Sequence, residues 1–218
     1  MKIRLVAFMF FWLLVGCTAL RVGGQFQSGR QALLRNEPEQ ALAYFLEVAN
    51  KDPDYVFQSM YFREGIWTYV GRTHYASGQL KEARSSLERA LAQDPNDHMA
   101  RLYLGLTLMR SDDHERGLKE LANAMRDLHD WLEYMESTRP LQAYWDPGRE
   151  IRGAIEKELE RIKARDIARE ELIANGEWLG KQMEEEIDRA RRDERRQWER
   201  DFDHRRDRSL GIGFGLGF

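Results

Sequence analysis

The chain has 218 residues, one-third of them charged, and a net charge of only −3 at pH 7. Charge this dense exceeds the ~25% of an ordinary globular chain, and its balance excludes a dedicated nucleic-acid binder, which needs a basic surplus to neutralise phosphates. A single cysteine excludes an intrachain disulfide framework and any multi-cysteine zinc site.

The first element is an apolar run from Leu5 to Val15, preceded by Lys2 and Arg4 and followed by Gly16 and Cys17. Eleven helical residues rise only ~16 Å, about half a bilayer core, so the run is short for a span. A basic start, a short apolar stretch and a small residue at its end make a secretory signal peptide, expected over 1–16. Leu14-Val15-Gly16-Cys17 resembles the lipobox of bacterial lipoproteins. That resemblance implies cleavage before Cys17, a diacylglyceryl group on its sulfur, and acylation of the new amino group. Several acyl chains anchor stably where one is marginal. The alternative is an incidental cysteine in an uncleaved signal anchor, since apolar residues continue through Ala19 and Leu20. Thr18 stands where aspartate favours inner-membrane retention in enteric lipoproteins. The resemblance therefore implies the outer membrane, facing the periplasm, with the periplasmic face of the inner membrane as the alternative.

Self-similarity dominates the middle of the chain. KDPDY at 51–55 and QDPND at 93–97 are near copies. Aligning Pro53 with Pro95 also aligns Ala41 with Ala83 and Phe45 with Leu87. A second register, 34 residues long, relates Gly71 to Gly105, Val70 to Leu104, Leu87 to Leu121 and Ala90 to Ala124. These positions resemble the 34-residue tetratricopeptide signature. Its best copy is 64–97, with Trp67, Val70, Gly71, His74, Gly78, Ala83, Leu87, Ala90 and Pro95. A second, 98–131, keeps Leu104, Gly105, Leu121 and Ala124, with Gly117 in place of the usual alanine. A degenerate first copy, 22–55, keeps Gly29, Ala41, Phe45 and Pro53, and Val56–Arg63 is inserted after it.

Each copy predicts two antiparallel helices. Gly71 and Ala83 let their backbones approach, Trp67 and Leu87 fill the space beside them, and Gly78 breaks the chain between them. Asn36 with Glu39, and Asp112 with Glu115, have capping-box spacing. The prolines after Asp52 and Asp94 end one repeat and turn into the next.

A connector over 132–147 is rich in aromatic residues, and Asp146-Pro147 reads as an N-cap and first helical residue. The region 148–208 predicts charged helix, with an apolar stripe at Ile151, Ile155, Leu159 and Ile162. Asn175-Gly176 is expected to interrupt it, before a second stripe at Leu179, Met183, Ile187 and Ala190. Acidic residues alternate with arginine beyond, which predicts a solvated, salt-bridged helix. In the tail, 209–218, Leu210, Ile212, Phe214, Leu216 and Phe218 alternate with other residues, chiefly glycine. A lone strand of this kind cannot bury itself. The fold expected is all-α: a short solenoid of about three helix-turn-helix repeats followed by a long charged helical extension.

No catalytic constellation is found. The histidines His74, His98, His114, His129 and His204 form no zinc motif, and no nucleophile elbow or phosphate loop is present. No enzyme, cofactor or metal is expected. In tetratricopeptide proteins the first helix of each repeat lines a groove that takes up a peptide or helix. The resemblance implies Arg30 and Leu33 from the first copy, Thr68, Arg72 and Tyr75 from the second, and Leu102, Leu106 and Met109 from the third. The apolar third set is expected to be covered by the chain's own helix after Asp146, because a terminal repeat needs a cap. Arg30, Arg72 and Tyr75 remain for a ligand.

The partners expected are therefore a protein or peptide of the cell envelope and, through Cys17, the membrane; nucleic acid is excluded and the oligomeric state is open. Tetratricopeptide lipoproteins act as adaptors in secretion, pilus, outer-membrane and wall-enzyme complexes, which is the function the two resemblances together imply. The alternative is a structural envelope protein whose charged helix self-associates or touches wall or lipid polyanions.

Overall fold

The computed structural model describes residues 21–59, 61–138, 145–166 and 168–211. Cys17 and the rest of the lipobox lie outside the described residues, as does the tail from 212 onward. Helix α1 spans 21–34. It is followed by α2 (Pro38–Lys51), β1 (Val56–Ser59), β2 (Phe62–Gly65), α3 (Ile66–Ala76), α4 (Leu80–Gln93), α5 (His98–Arg110), α6 (His114–Thr138), α7 (Glu150–Ala164) and α8 (Arg169–Gly211). The described residues fall into two compact units. The first takes those up to Phe57 together with Arg63–Ala124, and the second Gln58–Phe62 together with Met125–Phe218.

In the first unit α3 packs against α2, α4 and α5, so almost every position along it from Ile66 to Tyr75 is buried. Helix α4 has one neighbour on each side and buries one stripe, Ala83, Ser86, Leu87 and Ala90, at helical spacing. The same close approach recurs in all three helix pairs. A Cβ on Gly29 would lie 2.6 Å from the Phe45 ring, one on Gly71 2.5 Å from Leu87 Cγ, and one on Gly105 2.7 Å from the Leu121 backbone nitrogen. Each glycine on a first helix thus faces the large residue sixteen positions on in the second.

The DP turns repeat at atomic detail. Asp52 Oδ1 accepts from Asp54 N at 3.3 Å and Asp94 Oδ1 from Asn96 N at 2.9 Å. The Asp52 and Asp94 carbonyls accept from Tyr55 N and Asp97 N at 3.2 and 3.1 Å. The aspartate side chain thus reinforces the turn that proline pre-sets. Trp67 is half-buried rather than core: its indole donates to the Pro53 carbonyl at 2.9 Å, and the Arg89 guanidinium lies 3.6 Å from its ring centre.

Helix ends differ from expectation in instructive ways. Asn36 is not an N-cap. It sits at φ 59°, just past α1, with Asn36 N donating to Leu33 O and Glu37 N to Ala32 O, both at 3.0 Å. That is a Schellman motif with asparagine in the left-handed position, and Gly78, at φ 72°, ends α3 in the same way. Helix α6 begins at His114, so Asp113 rather than Asp112 precedes it, and it continues to Thr138, past the expected end of the third copy at 131. The Val56–Arg63 insertion, together with Glu64 and Gly65, forms a two-stranded hairpin whose burial alternates. Phe57 joins Phe26, Phe45, Tyr55 and Tyr69 in an aromatic cluster with centroid separations of 4.8 to 6.2 Å.

In the second unit the expected break at Asn175-Gly176 is absent. Helix α8 runs through it, because Gly176 falls on the buried stripe of Leu172, Leu179, Met183, Ile187 and Ala190. The break lies earlier, at Arg165, with φ 56° and a Schellman pair of bonds from Arg165 N to Ile162 O and Asp166 N to Arg161 O. A non-glycine residue in that conformation is unfavourable alone. The turn is tied by Arg161, which donates to both Glu171 oxygens at 2.6 and 2.7 Å and to the Asp166 carbonyl at 3.3 Å. On α7, Ile151 and Ile155 are buried, while Leu159 and Ile162 are half-buried. Phe62, Trp131 and Trp145 form a second aromatic cluster, with centroids 4.7 to 6.1 Å apart. The helix continues to Gly211, into the segment expected to be tail. Among the described residues, no helix is long and apolar enough to cross a membrane.

Candidate functional site

The residues expected to line a groove are placed mostly inside. Arg30 is 3% exposed, Thr68 0%, Arg72 5%, Tyr75 5%, Leu102 0%, Leu106 0% and Met109 4%, and Leu33 is half-buried. In this conformation seven of the eight are not displayed to a partner. The physical reason is visible for the polar ones. Arg30 lies 4.8 Å over the Phe57 ring, which the hairpin brings to α1. Arg72 Nη1 donates to Glu64 Oε1 at 3.0 Å, and its guanidinium stacks between Tyr69 and Tyr103 at 5.1 and 5.0 Å. Tyr75 meets Tyr103 edge-on at 5.7 Å, with Arg110 over its own ring at 4.8 Å. Guanidinium–aromatic packing of this kind holds a cation in place of a solvated surface.

Sequence reasoning missed the acidic half of this arrangement. Glu64, on β2, is 1% exposed; its Oε2 accepts a hydrogen bond from the Tyr69 hydroxyl and its Oε1 the bond from Arg72. Asp97, 1% exposed, joins two repeats. Its Oδ1 caps α5 by accepting from Ala100 N at 2.8 Å, while Oδ2 accepts from Thr68 Oγ1 at 2.6 Å and Gly65 N at 3.0 Å at the start of α3. The signal for Asp97 was present, an aspartate directly before an apolar helix. Nothing local in the sequence marks Glu64 as buried, because its partner lies eight residues on and β2 straddles the boundary between the insertion and the second copy.

Burial pushes the Asp97 carboxyl above the usual range, against the opposing pull of its bonds from Thr68, Gly65 and Ala100. A raised folded value means the folded chain takes up this proton before the unfolded one does. Stability contributed by this group is therefore greatest at acid pH, and is lost as pH rises from the ordinary carboxylate range through the raised value. The Asp97→Asn protein should show a flatter dependence of unfolding free energy on pH across that interval, read by urea titration. Asp97→Ala, which also strands the Gly65 and Ala100 amides, should lose about 2 kcal/mol at pH 7.

The second unit carries its own buried polar centre. Asp146, at φ 49°, caps α7 from a distance rather than adjacently: its Oδ1 and Oδ2 accept from Ile151 N and Arg152 N, both at 3.0 Å. Pro147 is therefore in the turn, not the first helical residue. Arg152, 1% exposed, donates from Nε to Asp146 Oδ2 at 3.2 Å, from Nη2 to the Asp146 carbonyl at 2.8 Å, and from Nη1 to Glu133 Oε1 at 3.1 Å and to Glu136. Burial pulls its pKa down, but the hydrogen bonds to Glu136 and Asp146 outweigh this and hold it above its ordinary value. Among the described residues no group of three or more His, Cys, Asp or Glu side chains is placed to hold a metal ion.

Residues 71–130, from the middle of α3 through most of α6, match the tetratricopeptide repeat family model. Over those residues the chain is similar to tetratricopeptide repeats. No curated protein matches the chain. The tetratricopeptide match spans the second half of α3, all of α4 and α5 and most of α6. Their glycine contacts and the Asp97 link are what hold the tetratricopeptide helices in register.

Proposed function

We propose that this protein is a lipid-anchored bacterial envelope adaptor whose tetratricopeptide array holds a protein partner in the assembly of an envelope complex. The observation that carries it is the order of parts: a basic start, a short apolar run and Leu14-Val15-Gly16-Cys17 immediately before the repeats. Thr18 favours the outer membrane, facing the periplasm, over the inner membrane. Since the groove-face residues are buried in this conformation, a partner uses another face of the array or displaces what covers it.

Tandem mass spectrometry of the N-terminal peptide from purified membranes tests the anchor. A peptide beginning at Cys17 and carrying acyl mass is expected, and Cys17→Ser should move the chain out of the detergent-dependent fraction. An unmodified Met1 start in membranes would rule the anchor out.

One observation favours a structural role instead. Trp198 and Phe202 on α8 are 66% and 54% exposed, stacked with centroids 5.6 Å apart, as a self-associating helix would present them.

A further inference from the structure

A cavity of about 330 Å³ opens in the second unit, lined by Ile155, Glu158, Arg161, Glu171, Trp178 and Leu179 among others. We propose that it is a binding site for a single basic side chain of a partner polypeptide.

The cavity is built around an incomplete carboxylate. Glu158 is only 6% exposed; its Oε1 accepts from Arg161 at 3.3 Å, while its Oε2 is buried with no hydrogen-bond donor. An acceptor left in that state costs about 1–3 kcal/mol relative to a satisfied one. Arg161 does not supply the missing donor, because its guanidinium is committed to both oxygens of Glu171 and to the Asp166 carbonyl. An apolar ligand would leave Oε2 without a donor, and an anion would be repelled by it.

A long basic side chain matches each part of the lining. Its methylene stem packs on Ile155 and Leu179, which are 1% and 2% exposed and form the apolar floor. Its charged head donates to Glu158. The Trp178 ring, 39% exposed, offers a face on which a cation is favoured. Lys157, exposed beside these residues, and Arg161 share the lining with Glu158 and Glu171, so the wall is close to neutral: one cation is drawn by the open Glu158 oxygen, and a second is opposed. The anchoring residue therefore carries an acidic or neutral neighbour rather than another lysine or arginine. The volume falls at the lower end of small-ligand pockets, which suits one side chain and not a helix.

This site rests on the protein-interaction reading but needs neither the lipid anchor nor the repeat groove. The probe is acetyl-Glu-Lys-Gly amide, titrated into the full-length chain in detergent micelles, with heat and the Trp178 indole N–H resonance as readouts. The lysine peptide should bind and shift that resonance, and the same peptide with norleucine for lysine should bind about tenfold more weakly or not at all. Glu158→Gln should cause a similar loss while the helical circular dichroism is unchanged. Should that variant unfold, Trp178→Leu at the half-open mouth should instead weaken binding several-fold. Equal affinity for the two peptides, an unmoved Trp178 resonance, or full affinity in a folded variant would overturn the assignment. Crosslinks from the repeats to an envelope protein that survive Glu158→Gln would show the scaffold standing without this pocket.

Discussion

Gly105→Val should destabilise the protein by about 3 kcal/mol, at the upper end for overpacking a close helix contact. A Cβ at this position would lie 2.7 Å from Leu121 N and 2.9 Å from Leu121 Cα, both backbone atoms. No rotamer change relieves that, so α5 and α6 must separate. The apolar positions on α5, buried over nearly its whole length, would then lose their packing. Gly71 is equally close to a neighbour, but the nearest atoms there are Leu87 Cγ and Cδ2, which can turn away; Gly71→Ala should cost less than Gly105→Ala. Gly153 on α7 has no atom within 4 Å of an added Cβ. Gly153→Ala should therefore raise stability by about 0.5–1 kcal/mol through helix propensity alone. Urea unfolding followed by far-ultraviolet circular dichroism orders all four. Equal effects at Gly105 and Gly153 would contradict the packing described for α5 and α6.

Arg152→Leu should cost about 3–5 kcal/mol, the usual penalty for removing one partner from a buried ionic cluster. Leucine fills much of the volume but leaves Asp146 buried, 3% exposed, with its charge facing no guanidinium. Asp146 also caps α7 through Ile151 N and Arg152 N, so any movement to rehydrate it frays the start of that helix. Arg152→Lys should recover little. One ammonium cannot donate at once to the Asp146 carboxylate, the Asp146 carbonyl, Glu133 and Glu136, as the planar fork does. Thermal unfolding of the two variants checks this; a lysine variant as stable as the parent would show that charge alone, not the fork, holds the cluster.

What could be read from the sequence follows from which interactions are periodic. The 34-residue spacing of Gly71 and Gly105, and of Leu87 and Leu121, is a packing constraint repeated along the chain. It makes the helix pairs legible in the sequence. The DP turns were legible for the same reason, since Asp52 and Asp94 each make the same local bond. Helix ends without glycine were not. Asn36 and Arg165 take left-handed conformations that their residue types only permit, and Arg165 does so beside an Arg161–Glu171 pair ten residues apart. Gly176 points the opposite way: composition suggests a break, whereas the residue lies on the buried stripe of α8 and the helix runs through it. The groove residues were inferred by position within a repeat, and position alone does not say whether a face is covered. Arg30 is buried because of a hairpin with no counterpart in the other copies. The Glu64 and Asp146 clusters escaped notice since each assembles residues from elements whose pairing no local pattern records.

The proposed adaptor role requires that an envelope protein, not another copy of this chain, be held on the repeat array. Crosslinking of intact cells with an amine-reactive reagent tests it most directly, because Lys51 on α2, Lys81 on α4 and Lys119 on α6 are all exposed. Crosslinks from these lysines to one envelope protein are expected, diminished when Cys17→Ser releases the chain from the membrane. Crosslinks confined to other copies of this chain, concentrated on α8 and absent from the array, would contradict it.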